Sequence, residues 1–297
     1  MNHLSLLPLI VALVAGSTTV VGQQPKRIND IQYAMLGDHA LQLDLHLPGE
    51  TNQSPLVVWV HGGAWRSGSK NKMPLGFLVD AGFTVASVDY RLSPIAKFPA
   101  QVHDCKASIR FLRAQSKTYG YAADRIGIAG SSAGGHLVAE IGVTNNHAEL
   151  EGTVGDHPDQ SSSVHAIADY YGPTNFKTIL KQSTPHGLSV RVPALDLLLG
   201  GGPEAKPKLA ELASPVFHVD EKDPPLLLIH GDQDPQVPIN QSHELHAKYK
   251  EMKLDVQFEV VHGGARGGRA FFDEKRRKLL LAFFNRTLRQ RLDNTVD

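Results

Sequence analysis

The sequence predicts an α/β fold built on a mostly parallel sheet, and three observations support this. Short, wholly apolar runs recur along the 297-residue chain. Segments with helical periodicity separate these runs, and such alternation produces parallel strands joined by helices. The runs are apolar throughout, as in strands that helices cover on both faces. They are residues 56–60, 84–88, 126–129, 164–168 and 226–229.

The segments at the two ends of this pattern differ from the middle. Residues 32–35 and 41–47 alternate apolar and polar side chains around Gly37-Asp38, which predicts a half-buried antiparallel hairpin. The last run, 256–261, also alternates, and we expect it near an edge of the sheet. Amphipathic periodicity predicts helices, which we place at residues 101–119, 242–252 and 271–288.

Residues 175–215 interrupt the alternation and are rich in proline, glycine and short apolar clusters. We expect an insertion over the carboxyl edge of the sheet, where it would shape a substrate site. No linker divides the rest of the chain, so residues 23–297 are predicted to form a single domain that includes this insertion. The only cysteine, Cys105, lies in a predicted helix and is expected to be a packed thiol.

The N-terminus and the charge balance suggest an exported protein with a small-molecule substrate. Residues 4–16 are apolar but shorter than the ~20 residues of a bilayer span, so residues 1–22 are expected to be a signal peptide. A buried helix or an uncleaved anchor is the alternative. Export would place the mature chain in the periplasm or outside the cell, without a membrane span. The 30 basic and 30 acidic residues form no basic stripe, which argues against a nucleic-acid partner.

The segment Gly130-Ser131-Ser132-Ala133-Gly134 lies between a predicted strand and a predicted helix. A Gly-x-Ser-x-Gly pattern in this context is typical of a nucleophile elbow, a strained turn that exposes the central hydroxyl. Small residues are needed where the chain passes close to itself. Ser132 is therefore the candidate nucleophile.

The segment His61-Gly62-Gly63-Ala64-Trp65 follows directly on the strand that ends at residue 60. Glycines allow backbone amides to approach a ligand, as an oxyanion hole requires. The amides of Gly62 and Gly63, together with that of Ala133, are the candidate donors. Without the elbow motif, this segment would be interpreted as an ordinary glycine-rich turn after a strand.

Two aspartates follow the strand at 226–229, and either could orient an imidazole. Asp232 comes early enough to close a local turn, whereas Asp234 lies further into the loop. We choose Asp234 as the triad acid and regard His230 as a structural residue at the strand end. The third member should follow the last strand, where His262 is the only histidine after His246. The resulting order of serine, acid and histidine is that of α/β-hydrolases.

Taken together, these motifs resemble an α/β-hydrolase esterase with an HGGxW oxyanion loop. That group includes hormone-sensitive-lipase-like, acetyl-xylan and feruloyl-type esterases. Other matching segments are residues 88–94, 98–100, 198–201 and 213–215, and the resemblance extends from about residue 30 to 288. It implies an α/β-hydrolase fold, with helices on both faces of a mostly parallel central sheet and a small insertion over the site.

One position departs from this family. Its last loop usually reads Gly-x-Gly-His-Gly, and the histidine of that pattern falls on Arg266. A guanidinium stays protonated near neutral pH and cannot serve as a general base. Either His262, four residues earlier on a glycine-rich loop, completes the triad, or the triad is incomplete.

Three functions are therefore compared. The first is a serine esterase that hydrolyses short-chain or carbohydrate-linked carboxylic esters through an acyl-enzyme, with Ser132, His262 and Asp234 as its triad and neither a metal nor an organic cofactor. The second is a catalytically impaired α/β-hydrolase that binds an ester-bearing ligand or a partner protein. The third is a peptidase, which is weaker because the chain has no propeller or large second domain.

Overall fold

The computed structural model describes residues 24–49, 53–145 and 147–289. The predicted leader, residues 1–22, lies outside the described residues. Eight strands of the described part join one sheet in the order β1-β2-β4-β3-β5-β6-β7-β8. They are β1 (Lys26–Leu36), β2 (His39–Leu47), β3 (Ser54–Val60), β4 (Thr84–Val88), β5 (Tyr121–Ser131), β6 (Ala166–Tyr170), β7 (Leu226–Gly231) and β8 (Val256–Val261).

The strands follow the pattern that the sequence predicts. The two alternating segments form the antiparallel hairpin β1–β2, and β2 pairs antiparallel with β4. All remaining pairs, from β4 across β3 to β8, are parallel. The alternating last strand, β8, lies at an edge of the sheet.

The described ranges contain ten α-helices. They are α1 (Gly76–Asp80), α2 (Ala100–Ala114), α3 (Ser116–Tyr119), α4 (Ala133–Val143), α5 (Ala148–Glu151), α6 (Ile179–Gln182), α7 (Pro185–Leu199), α8 (Pro207–Leu212), α9 (Asn240–Glu251) and α10 (Glu274–Phe284). The single helix predicted over 101–119 is divided into α2 and α3, and the one predicted from 271 begins only at residue 274, after a 3-10 turn. None of these helices has the length and apolar character that a membrane span needs.

Both faces of the central strands are buried, which explains their uniform apolarity. Successive side chains of a strand point to opposite faces, and those of β3 divide accordingly. Val58 and Val60 belong to one core cluster, which includes Cys105 of α2 as a buried free thiol. Val57 and Trp59 belong to a second cluster, on the side of α1 and α10. The carboxyl ends of the parallel strands therefore form one edge at which loops can assemble a site.

Candidate active site

Ser132 occupies the tight turn between β5 and α4. Its backbone has φ 58° and ψ −117°, a strained conformation for a residue with a side chain. A Cβ at Gly130 would lie 2.4 Å from the carbonyl oxygen of Gly134, and one at Gly134 would lie 2.1 Å from that of Val60. Only glycine fits such close approaches. The turn presents Ser132 to a cavity of about 990 Å³.

The glycine-rich loop after β3 lies beside this turn. A Cβ built on Gly62 would lie 3.1 Å from the Cβ of Ser132. The carbonyl of Gly63 accepts hydrogen bonds from the amides of Arg66 and Ser67, both at 3.1 Å, which tightens the loop. Within the described ranges, the amides of Gly62 and Gly63 donate to no protein acceptor. Ala133 is the first residue of α4, so its amide has no acceptor within the helix. An oxyanion hole requires unpaired donors of this kind.

Asp234 follows β7, and its side chain is fully buried. Its Oδ1 accepts hydrogen bonds from the amides of Gln236 and Val237, at 2.8 and 3.0 Å. Its Oδ2 lies 3.4 Å from Nε2 of His230. Burial by itself would raise the pKa of Asp234, but these hydrogen bonds and the Arg266 guanidinium hold it below its usual value. The carboxyl group is therefore ionised at neutral pH.

Arg266 lies between Asp234 and Ser132. Its Nη1 donates to Oδ2 of Asp234 at 2.5 Å, and its Nη2 donates to Oγ of Ser132 at 2.5 Å. The guanidinium also stacks over the ring of Tyr171, 5.0 Å from its centre. A triad histidine would connect the same acid and nucleophile. The nitrogens of an arginine side chain are hydrogen-bond donors only, so Arg266 can donate to Ser132 but cannot accept its proton.

The position of His262 contradicts the prediction that it completes the triad. Its Nδ1 lies 3.0 Å from Oδ2 of Asp232, and its side chain is 86% exposed. The amide of Gly263 donates to the other oxygen of Asp232 at 2.8 Å. The amide of Gly264 bonds to the carbonyl of Val261 at 2.9 Å, which closes a turn with Gly263 at φ +69°. This turn directs His262 to solvent, and the chain then returns to the cavity at residue 266.

No other described histidine takes over that role. His61 is the only histidine among the described residues that line the cavity, and its Nδ1 is held 2.7 Å from the carbonyl oxygen of Gly62. His136, one turn into α4, accepts a hydrogen bond from Nε1 of Trp65 and donates one to the carbonyl of Ala213. Burial lowers the pKa of His136 to about 4, so its ring is neutral. Both rings stabilise loops.

Most of the sequence matches the model of a known protein family. The BD-FAE profile matches residues 43–249, which include the elbow, the glycine-rich loop and Asp234. The chain belongs to the BD-FAE family. Arg266 and His262 lie beyond the matched residues.

Relatives of this BD-FAE chain carry esterase names. Esterase LipC of Mycobacterium tuberculosis is 32% identical over 225 residues, which are 73% of this chain and 54% of that protein. The chain spans about half the length of the curated relatives that it matches.

Two solved structures share the fold along nearly the whole chain. A truncated carbohydrate esterase from gut microbiota has a TM-score of 0.78 and 31% identity, covering 90% of this chain and 98% of that one. A bifunctional GH43-CE protein of Bacteroides eggerthii has the same TM-score with 34% identity, covering 88% of this chain and 35% of that one. The α/β-hydrolase fold that the sequence predicts is thereby confirmed.

Arg191 is a cavity residue that the sequence analysis missed. It belongs to α7, within the segment predicted as an insertion, and lines the cavity together with its neighbour Val190. A lone arginine between Val190 and Val192, in a helix of mostly apolar residues, was the available signal. The sequence alone did not show whether this side chain faces solvent or the site.

Asp169, near the end of β6, makes the stability of this BD-FAE domain depend on pH. The carboxyl group is fully buried, and its Oδ1 accepts a hydrogen bond from the amide of Gly172 at 2.8 Å. Burial raises the pKa of Asp169 to about 7. The folded state therefore holds a proton that the unfolded state has released, so the free energy of unfolding falls as pH rises from about 4 to about 7.

We expect Asp169→Asn, which stays neutral, to exceed the parent in free energy of unfolding at pH 8 by about 2–4 kcal/mol. The difference should shrink towards zero at pH 4. Urea denaturation at both pH values measures it. Asp80→Asn, at an exposed carboxyl group on α1, is the control and should show no such pH dependence. A difference between Asp169→Asn and the parent that is equal at both pH values would contradict this account.

Proposed function

We propose that the chain is a carboxylic ester hydrolase in which Ser132 forms an acyl-enzyme. The observation that carries the proposal is the strained φ of 58° at Ser132, together with the available amides of Gly62, Gly63 and Ala133. Strain of this kind accumulates at functional sites. The esterase names of the relatives support the reaction class. The substrate is a short-chain or carbohydrate-linked ester, which the carbohydrate esterase neighbour supports. Export of the mature chain is part of this proposal and rests on the leader sequence.

The proposed first step has no histidine base. The proton of Ser132 passes to a hydroxide ion from solvent, and Nη2 of Arg266 stabilises the resulting alkoxide, since a cation at 2.5 Å favours the anionic form. The alkoxide attacks the carbonyl carbon, and the amides of Gly62, Gly63 and Ala133 bind the oxyanion. The ester C–O bond then breaks, and the alcohol leaves as its anion.

The leaving group and the second step follow from the same chemistry. An arginine side chain does not serve as a general acid, so the alcohol leaves without general-acid assistance. Esters of acidic alcohols, such as phenols, should therefore react best. Hydroxide also attacks the acyl-enzyme and regenerates Ser132. Without a base to activate water, this step is slow, and the acyl-enzyme accumulates.

The Ser132→Ala variant tests this function. With p-nitrophenyl acetate, we expect an initial burst of p-nitrophenol from the parent and an acetylated chain in intact mass spectrometry. Ser132→Ala should lose the burst and the acetyl group, and its turnover should fall by at least about 100-fold. The control is Ser69→Ala, at a cavity-lining serine outside the elbow, which should keep both. Parent-like turnover in Ser132→Ala would overturn the proposal.

Arg266 favours a second candidate function, which is binding of an ester-bearing ligand with little turnover. The guanidinium satisfies Asp234 and holds Ser132 as an acceptor, so the three side chains form a closed network in the absence of substrate. In that case the parent would bind esters without releasing alcohol. The burst experiment separates the two candidates, because only the hydrolase becomes acylated.

A further inference from the structure

The cavity beside Ser132 is strongly cationic, although the whole chain is neutral. Its described lining residues include four cations and no carboxylate; the cations are Arg66, Lys72, Arg191 and Arg266. The carboxylate of Asp234 contacts this lining, but it already pairs with Arg266. An excess of one charge sign in a cleft with apolar walls raises the local concentration of ions of the opposite sign.

Arg191 contributes to this excess of positive charge from a buried position. The side chain is 1% exposed. Its Nε and Nη1 are buried and find no hydrogen-bond partner in the described part of the chain. Its guanidinium stacks over Trp65, 5.8 Å from the ring centre, and this contact supplies no acceptor. A buried cation without an anion or acceptors is costly to fold. A ligand that carries an anionic group and binds beside Arg191 would offset this cost.

The charges around Arg191 do not supply that anion. Burial, followed by repulsion from Arg266, lowers the pKa of Arg191 to about 10, with Arg66 adding to the repulsion. The carboxylate of Asp234 acts in the opposite direction but does not cancel these effects. Arg191 is still protonated at neutral pH. A guanidinium presents paired donors that match the two oxygens of a carboxylate.

We propose that Arg191 binds a carboxylate carried by the ester substrate, so that the site selects acidic esters over neutral ones. The inference rests on the proposed function, since it names the substrate class of that site. The ester carbonyl would lie at Ser132. The free carboxylate of the same substrate would form the ion pair that Arg191 lacks among the described residues. The cationic lining would attract such a substrate to the cavity.

Binding to a chain that cannot turn over tests this selectivity apart from catalysis. The background is Ser132→Ala, and the probes are monomethyl glutarate, which has one ester and one free carboxylate, and dimethyl glutarate, which is neutral. Calorimetry should show a Kd for the acidic ester at least about 10-fold below that for the diester, corresponding to about 1.4 kcal/mol. Adding Arg191→Met should remove most of this preference, whereas Arg191→Lys should retain part of it.

The matched control is Arg286→Met, because Arg286 stacks on Phe283 at a similar 5.7 Å and is not among the cavity-lining residues. It should keep the full preference for the acidic ester. Circular dichroism and thermal melts verify that each variant is folded. Equal affinity for the two probes, or a preference that Arg191→Met leaves intact, would overturn the inference. Because no turnover is measured, a failure here leaves the acylation experiment on the parent unaffected, and the reverse also holds.

Discussion

Replacing Arg266 by histidine should raise kcat/KM for p-nitrophenyl acetate by at least about 100-fold. Nη1 and Nη2 of Arg266 contact Asp234 and Ser132, each at 2.5 Å, so a histidine at this position would lie beside an acid that is already buried and ionised. Loss of the base in a serine hydrolase costs several orders of magnitude, and its restoration should recover a large part of that. Steady-state kinetics of the purified variant, with background hydrolysis subtracted, measure the gain.

Two control variants separate base restoration from simple removal of the arginine. Arg266→Gln removes the charge without supplying a base, and it should show no comparable gain. His262→Ala should stay within about twofold of the parent, because His262 is bonded to Asp232 and directed to solvent. A large loss in His262→Ala, with no gain in Arg266→His, would show that the loop rearranges to bring His262 to Ser132.

The parent should show a pH profile that no histidine-dependent hydrolase gives. Between about pH 6 and pH 9, kcat/KM should rise about tenfold per pH unit without levelling off, because hydroxide removes the proton of Ser132. This is a span of about a thousandfold. The lowered pKa of Asp234 keeps that carboxylate ionised throughout the range, so its titration does not change the slope of the pH profile.

The same measurement on Arg266→His is the internal control. Its activity should reach a plateau above about pH 7, since an imidazole titrates near 6.5 and serves as the base once neutral. Initial rates in buffers of constant ionic strength give both profiles, with Ser132→Ala as the non-enzymatic baseline. A plateau near pH 7 in the parent would reveal another base and contradict the proposed role of hydroxide.

Local patterns predicted the architecture well, because the residues of each strand indicate which of its faces are buried. The apolar runs became the central strands β3 to β7, and the alternating runs became the hairpin β1–β2 and the edge strand β8. Motif spacing likewise predicted the elbow at Ser132 and the strand-end loop of Asp234. These features depend on short stretches of chain, in which side-chain periodicity and glycine positions carry the information.

The path of the last loop could not be predicted from the residues near it. Four positions separate His262 from Arg266, and chain order favoured the histidine. The outcome was decided by the turn at Gly263, which Asp232 stabilises, and by the carbonyl of Gly264, which accepts a hydrogen bond from the amide of Gln233 at 3.0 Å. These contacts join two loops about thirty residues apart in the chain, so they cannot be inferred from the residues of either loop alone.

The sequence by itself determined the sheet, the strained turn at Ser132, the strand-end loop that carries Asp234 and the absence of a histidine at position 266. Only the tertiary structure decided that Arg266 joins Asp234 to Ser132, that His262 faces solvent, and that Nε and Nη1 of Arg191 find no hydrogen-bond partner among the described residues. The physical reason is the range of the interactions. Periodicity and turn chemistry act within a few residues, whereas the direction of a charged side chain depends on the packing of distant segments around it.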